Sequence, residues 1–507
     1  MTVTNRRLLL TVFFSGLVTL AVELSAFRLF APVFGASNLI SAVVIGLIML
    51  YLSAGYWLGG RWADRSPRAD TLYRLIVWAA FIVGVIPFIA QPLLKLTRDN
   101  LQNLANFDAA LLIFAFLITL VLFAVPVTLL GCVSPFALRL SMASVEQSGR
   151  TAGRLYAIST LGSFIGSFTP ELILLNWVGT RGTFVVLALI SIGIGLIGLG
   201  RKGRALIVLP IVLIALHVLL PISFSDLEGT LYQGESSYNF IQVVERGGTR
   251  YLLLNDEQGV HSIYNPATIQ TNGTWDYFAL APYFNATPTP VQRVGLIGLA
   301  GGTLARSFTE LFGPIPIDGI EIDPKIVAVG RAYFGMTQPN LNVIVGDGRA
   351  ALSKLGTGYS VIGLDAFRVP YIPWHLTTRE YLLELRARLA PDGVIVANVG
   401  RTRTDYSMVD AMARTAATVF PSVHVIDVAG SLNSIVYATM LPTSLDNLRA
   451  NLPLMSATVL TSTAQLALQH VRPLNLQAVL FTDDNAPVER LTNGIMLNFL
   501  FGLSSED

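Results

Sequence analysis

The run Val294-Gly295-Leu296-Ile297-Gly298-Leu299-Ala300-Gly301-Gly302-Thr303 decides the fold of the C-terminal half. Its apolar start fits a buried strand, and the glycines let the backbone turn tightly into a helix reaching Leu311. The same unit recurs downstream. Strand 317–322 ends in Glu321-Ile322-Asp323-Pro324 and feeds a helix to Phe334. Strand 343–345 ends in Gly346-Asp347-Gly348-Arg349, and strand 360–364 ends at Asp365. A helix over 378–389 and the turn Pro391-Asp392-Gly393 precede strand 394–398. Strands and helices taking turns are the signature of a doubly wound, Rossmann-like α/β sheet. Upstream, residues 238–264 alternate and turn at Gly247-Gly248 like a β-hairpin, which predicts a small β-rich domain ahead of the sheet.

Ligands of such sheets lie at the carboxyl ends of the strands, where strand order reverses. Gly298, Gly301, Gly302, Glu321, Asp323, Asp347, Gly348 and Asp365 all fall at such ends. Glycines there let backbone approach a ligand with no Cβ in the way. Glu321 follows the glycine loop at the distance of an acid that accepts two ribose hydroxyls, and Asp347 is placed to accept from an adenine amino group. The loop lacks the G-x-G-x-x-G spacing of a dinucleotide site, and no basic residue follows it to meet a phosphate. Adenosine without phosphates, as in an S-adenosyl sulfonium, suits it better.

The N-terminal half has a different composition. The chain of 507 residues is 53% hydrophobic and only 13% charged, against roughly 25% charged in soluble domains. The excess is confined to residues 8–224, and long apolar runs of this kind predict membrane spans. Candidate spans are 8–30, 38–60, 72–95, 109–131, 153–176, 183–200 and 205–224, a bundle of about seven helices. The expected organisation is a membrane bundle over 1–224, a small β-rich domain and connection over 225–290, and the Rossmann-like domain over 291–507.

Basic residues sort by parity. Arg6 and Arg7 precede the first span, and Arg61, Arg65, Arg68 and Arg74 follow the second. Arg139, Arg150 and Arg154 follow the fourth, and Arg201, Lys202 and Arg204 the sixth. The positive-inside rule then puts the N-terminus in the cytoplasm of a multi-pass cell-membrane protein. Seven spans would put the C-terminal domain outside. Glu23, Arg28 and Glu171 lie in or near apolar runs, where charge is costly unless paired or hydrated. They read either as a polar route through the bundle or as structural ion pairing. Gly162 and Gly166 are a small-xxx-small pair that allows close helix approach. With one cysteine, Cys132, and five scattered histidines, neither a disulfide nor a metal site is expected. The run Gly60-Arg61-Trp62-Ala63-Asp64-Arg65 resembles the loop between the second and third helices of the major facilitator superfamily, whose acid and bases lock neighbouring helices.

At Glu321-Ile322-Asp323-Pro324, Gly346-Asp347-Gly348-Arg349 and Asp365 the chain resembles the spermidine synthase family, and within it the subgroup fused to a membrane bundle. The resemblance covers about residues 230–425, with an echo at Thr482-Asp483-Asp484 and Ala486-Pro487-Val488-Glu489. It implies a donor of S-adenosylmethionine type, decarboxylated in the family, and transfer of its aminopropyl group to an amine. It also implies Glu321 on the ribose, Asp347 on adenine and Asp365 as the catalytic residue beside the attacking amine. The hairpin with Tyr238 and Asn239 looks like the family's N-terminal β-domain over the active site.

Departures concern the acceptor. The family's Gly-Gly-Asp-Gly-Gly loop carries an acid absent here, and Arg368 stands where a second aspartate follows the catalytic one. Such a site should repel putrescine. The family's glutamine is replaced, with Asn239 and His261 as its candidates, and Asp276 is a candidate for restoring polarity. The expected function is a membrane-anchored transferase using an S-adenosyl donor, by aminopropyl or methyl transfer, on an acceptor other than putrescine. The alternative is a non-catalytic transporter or sensor whose domain binds a nucleoside or polyamine. Expected partners are the lipid bilayer, a small-molecule acceptor and, in a homo-oligomer, further copies of the chain, with no nucleic acid.

Overall fold

The computed structural model describes residues 5–34, 38–101, 107–142, 148–220, 227–255, 259–366 and 372–491. The chain divides into two compact units, Met1–Asp226 with Glu235–Phe240, and Leu227–Gly234 with Ile241–Asp507.

The first unit is helical. Its helices are α1 (Asn5–Phe34), α2 (Asn38–Arg65), α3 (Ala69–Leu101), α4 (Phe107–Gly131), α5 (Val133–Ser141), α6 (Ser148–Thr169), α7 (Leu175–Leu199) and α8 (Val208–Leu219). Glycines set the closest crossings. A Cβ on Gly162 would collide with the carbonyl oxygen of Phe13, and one on Gly166 with that of Leu17, so α6 packs on α1 backbone to backbone. Gly55 and Gly59 give α2 the same approach to Thr128 and Cys132.

Among the described residues, six helical segments are long and apolar enough to cross a membrane, against about seven spans expected from the sequence. The last two expected spans are one run, Trp177–Leu219, folded back at Gly200, whose φ of +56° only glycine adopts readily. The two limbs are antiparallel. Arg181, near the start of α7, donates to the carbonyls of Leu216 at 2.7 Å and Leu220 at 3.0 Å, capping the end of α8.

Of the charged residues in apolar runs, Arg28 and Glu171 pair with each other, Nη2 to Oε1 at 2.6 Å. The ion-pair reading therefore accounts for those two. Asp64, in the Gly60–Arg65 run, meets Arg139 of α5 at 3.2 Å, a lock between neighbouring helices.

In the second unit, strands β1 (Thr230–Glu235), β2 (Phe240–Arg246), β3 (Thr249–Leu254) and β4 (Gly259–Tyr264) form a four-stranded sheet in that order. The turn from β2 to β3 is Gly247-Gly248, both at positive φ, as a two-residue hairpin loop requires.

The large sheet comprises β5 (Val294–Ile297), β6 (Ile317–Glu321), β7 (Leu341–Val345), β8 (Tyr359–Leu364), β9 (Leu389–Gly400), β10 (Ser422–Asp427), β11 (Asn433–Thr439) and β12 (Val471–Arg472). Their spatial order is β12-β10-β11-β9-β8-β5-β6-β7. Strands β5 to β9 are parallel, and β11 enters antiparallel against β9. Strand β5 pairs with β6 on one side and β8 on the other, so strand order reverses between β5 and β8. That is where an open α/β sheet leaves a crevice at its strand ends.

Candidate functional site

The glycine loop leaves β5 in a conformation most side chains resist. Gly298 and Gly302 have φ of +90°, and Ala300 between them sits at +48°. A Cβ on Gly298 would collide with the backbone carbonyl of Asp365, so only glycine lets the ends of β5 and β8 come this close. Glu321 holds the loop from β6. Its Oε2 accepts the Ala300 N–H at 2.8 Å, and its Oε1 accepts the Asp323 N–H at 3.0 Å. Burial pushes the Glu321 carboxyl above its ordinary value, against the pull of those N–H donors. Each oxygen keeps a lone pair for a further donor such as a hydroxyl.

The small sheet is pinned to the same loop. Gly301 donates its N–H to Ser262 Oγ at 2.8 Å, while Thr303 Oγ1 accepts from Ile263 N and donates to Ile263 O, each at 2.9 Å.

Asp323, expected on the cofactor, does another task. Its carboxylate is fully buried and accepts from Lys325 N at 2.9 Å, capping the helix Pro324–Tyr333.

Asp347 stands at the end of β7. One oxygen accepts the N–H groups of Arg349 and Ala350, both at 3.0 Å, and the other meets His375 Nε2 at 2.9 Å. Partial burial raises this carboxyl, but the two N–H donors and His375 outweigh it and hold Asp347 below the usual range. Gly348 is needed because a Cβ there would come within 2.7 Å of the Ile297 side chain. Asp483, in the C-terminal echo, is structural: it accepts from Thr378 Oγ1 and Arg349 Nη1, each at 2.7 Å.

Asp365 ends β8 at the switch point. Trp275 Nε1 donates to its Oδ2 at 3.0 Å and Asn398 Nδ2 to its Oδ1 at 2.9 Å. Burial pushes the carboxyl up to about 6, and both donors pull the other way. The sequence reading missed these two residues. Asn398 lies two residues before the end of β9, close to the row of strand ends that carries the acids, and Trp275 precedes a residue that was singled out.

That residue, Asp276, is not free for an acceptor. It is buried and accepts from Thr271 N and Asn272 N at 2.9 and 2.8 Å and from Thr271 Oγ1 at 2.8 Å, closing the loop before its helix. Tyr238 and Asn239 group with the helical unit. His261 lies on β4 beside Ser262, with Nε2 shielded from solvent, and burial pulls its imidazole down to about 4, hence neutral. Arg368 lies outside the described residues.

Among the described residues no cluster of three His, Cys, Asp or Glu could hold a metal ion. The donor set suits a nucleoside bearing a cation. Carboxylates stand at three strand ends around a loop whose glycines leave no room for Cβ atoms, and the loop has no base to meet a phosphate.

Residues 290–430 match the family described as spermine/spermidine synthase domain. The polyamine aminopropyltransferase of Vibrio vulnificus is 33% identical over 247 residues, covering 46% of this chain and 81% of that protein. A protein of Bifidobacterium longum named probable polyamine aminopropyl transferase is 30% identical over 228 residues, which are 44% of this chain and half of that one. The eEF1A lysine and N-terminal methyltransferase of Homo sapiens is 27% identical over 160 residues, 29% of this chain and 23% of that protein. All three names are those of transferases. The glycine loop, the acids at the strand ends and the extent of the Vibrio match agree: the chain belongs to the spermidine synthase family.

Proposed function

We propose that this protein is a membrane-anchored transferase that moves a group from an S-adenosyl sulfonium donor to an amine acceptor. The observation that carries it is Asp365, a half-buried carboxylate at the switch point cradled by two N–H donors. Glu321 and Asp347 would hold the ribose and adenine, and the glycine loop would lie against the nucleoside. When bound, the donor supplies a carbon activated by a good leaving group, so the protein needs mainly orientation and a proton acceptor. Asp365, with its carboxyl raised to about 6, is ionised at neutral pH yet basic enough to take a proton from an attacking amine. A positioned base of this kind contributes roughly a hundred- to ten-thousandfold.

Aminopropyl transfer follows from the Vibrio relative, and the human relative supports methyl transfer as the second reading. Putrescine is not the acceptor, because the loop acid is missing and Arg368 adds a cation beside Asp365 in sequence. Six apolar helical segments, the last bent double, support seven crossings of a membrane. The arginine pattern favours the outer face for the catalytic unit.

The test is incubation of the purified chain with radiolabelled donors and a panel of amines. Release of methylthioadenosine marks aminopropyl transfer, and S-adenosylhomocysteine marks methyl transfer. Neither product with any amine would sink the proposal, as would efficient spermidine formation for the acceptor assignment.

A further inference from the structure

The β10–β11 hairpin turns beside the carboxyl end of β9 and has no part in the roles assigned so far, yet both arms that hold Asp365 end on it. On one side a chain of donors runs in a single direction. Ser431 Oγ donates to Asn433 Oδ1 at 2.8 Å, Asn433 Nδ2 to Asn398 Oδ1 at 2.9 Å, and Asn398 Nδ2 to Asp365 Oδ1 at 2.9 Å. On the other side, Tyr277 shares the helix Thr274–Phe278 with Trp275. The Tyr277 hydroxyl accepts the Ala429 N–H at 3.3 Å, and its carbonyl accepts from Tyr437 Oη at 2.8 Å.

The direction of the chain matters. An ionised carboxylate only accepts, so Asn398 must present its NH2 to Asp365. A lone asparagine can turn its amide over and offer oxygen to a protonated acid instead. Asn433 opposes this, because its own NH2 occupies Asn398 Oδ1 and its Oδ1 accepts from Ser431 Oγ, so Asn398 turns over only if Asn433 and the Ser431 hydroxyl turn with it. We propose that the β10–β11 hairpin, acting through Ser431, Asn433 and Tyr277, is the positioning element that keeps Asp365 ionised and aimed into the crevice. The role assigned to Asp365 rests on the transferase reading, but the orientation of its donors does not.

Other titratable groups on the surrounding elements are engaged elsewhere. Asp276 closes the Thr271 loop, Glu321 holds Ala300, Asp347 meets His375, and Arg401 pairs with Asp427 at 3.5 Å. Burial and the two N–H donors are what act on the Asp365 carboxyl.

The test uses the full chain in detergent with its six tryptophans replaced by 5-fluorotryptophan. The Trp275 resonance, assigned by its loss in Trp275→Phe, should titrate with Asp365 because its N–H donates to that carboxylate. Asn433→Leu should move the midpoint up by about half a pH unit or more. Ser431→Ala should move it the same way by less, and Ser431→Thr should leave it in place. An unmoved midpoint in a folded Asn433→Leu chain overturns the inference. If that variant does not fold, an unmoved midpoint in Ser431→Ala does so. Product release is measured in parallel. A shifted midpoint without any product sinks the transferase reading alone, whereas product formation with an unmoved midpoint sinks the hairpin's role alone.

Discussion

The indole of Trp275 donates to Oδ2 of Asp365 at 3.0 Å, across 90 residues of sequence. An indole N–H can only donate, so this contact favours the carboxylate over the acid. It does not cancel burial, which leaves the Asp365 carboxyl at about 6 against an ordinary 3.8. The site therefore holds a charge at neutral pH that costs the fold something.

That cost has a sign that can be measured. Between the unfolded and folded values the native chain binds more protons than the unfolded one, so stability falls as pH rises through that window. Asp365→Asn removes the charge and keeps an acceptor for Trp275. Its amide NH2 leaves one of the two N–H donors without an acceptor at every pH, a constant loss of about 1–3 kcal/mol. On top of that, the variant should gain about 1–3 kcal/mol relative to the parent between about pH 4 and pH 8. Denaturation of the detergent-solubilised chain at both values checks this. A variant less stable near pH 8 than at acid pH, relative to the parent, would contradict the raised value.

Glu321→Gln is expected to act twice. The two carboxylate oxygens accept backbone N–H groups from Ala300 and Asp323, and an amide can satisfy only one of them. The other buried donor loses its partner at about 1–3 kcal/mol. Nucleoside affinity should fall about tenfold or more, since one ribose acceptor is lost as well. Calorimetry with methylthioadenosine measures the second effect, and thermal unfolding without ligand the first. Unchanged affinity in a folded variant would remove the ribose assignment.

Gly298→Ala tests the contact at the switch point. The residue has φ of +90°, and its Cβ would strike the Asp365 carbonyl. Displacing Asp365 should lower product formation by about a hundredfold. Gly313→Ala is the control for backbone strain alone, because its φ is +88° with open space around it, and it should cost about 1 kcal/mol. Equal effects of the two substitutions on turnover would show that the contact is not what matters.

The acids of the site were legible because a parallel strand is a short apolar run, and what breaks it marks its carboxyl end. Glu321, Asp347 and Asp365 each stand at such a break. The partners were not legible. Trp275 reaches Asp365 only through tertiary packing of a short helix, and hydrogen bonding between an indole and a carboxylate leaves no periodic trace. Asp276 and Asp323 show the converse: an acid beside a turn or a Pro looks available in sequence, while the folded backbone engages it, Asp276 in closing the Thr271 loop and Asp323 as a helix cap. The turn at Gly200 was legible as a cluster of bases between two apolar runs, and α7 and α8 are the helices on either side of it.

The last prediction concerns sidedness. Basic residues cluster after the second, fourth and sixth expected spans, and α7 and α8 fold back as antiparallel limbs. On the proposed topology, an N-terminus in the cytoplasm and seven crossings would leave Arg201 inside and the α/β unit outside. The native Cys132 is only 2% exposed, so introduced cysteines report with little background. Lys354→Cys, at an exposed position in the α/β unit, should react with a membrane-impermeant maleimide in intact cells. Arg201→Cys, exposed beside Gly200, should react only after permeabilisation. Protection of Lys354→Cys together with labelling of Arg201→Cys would reverse the orientation, and protection of both would place the α/β unit inside.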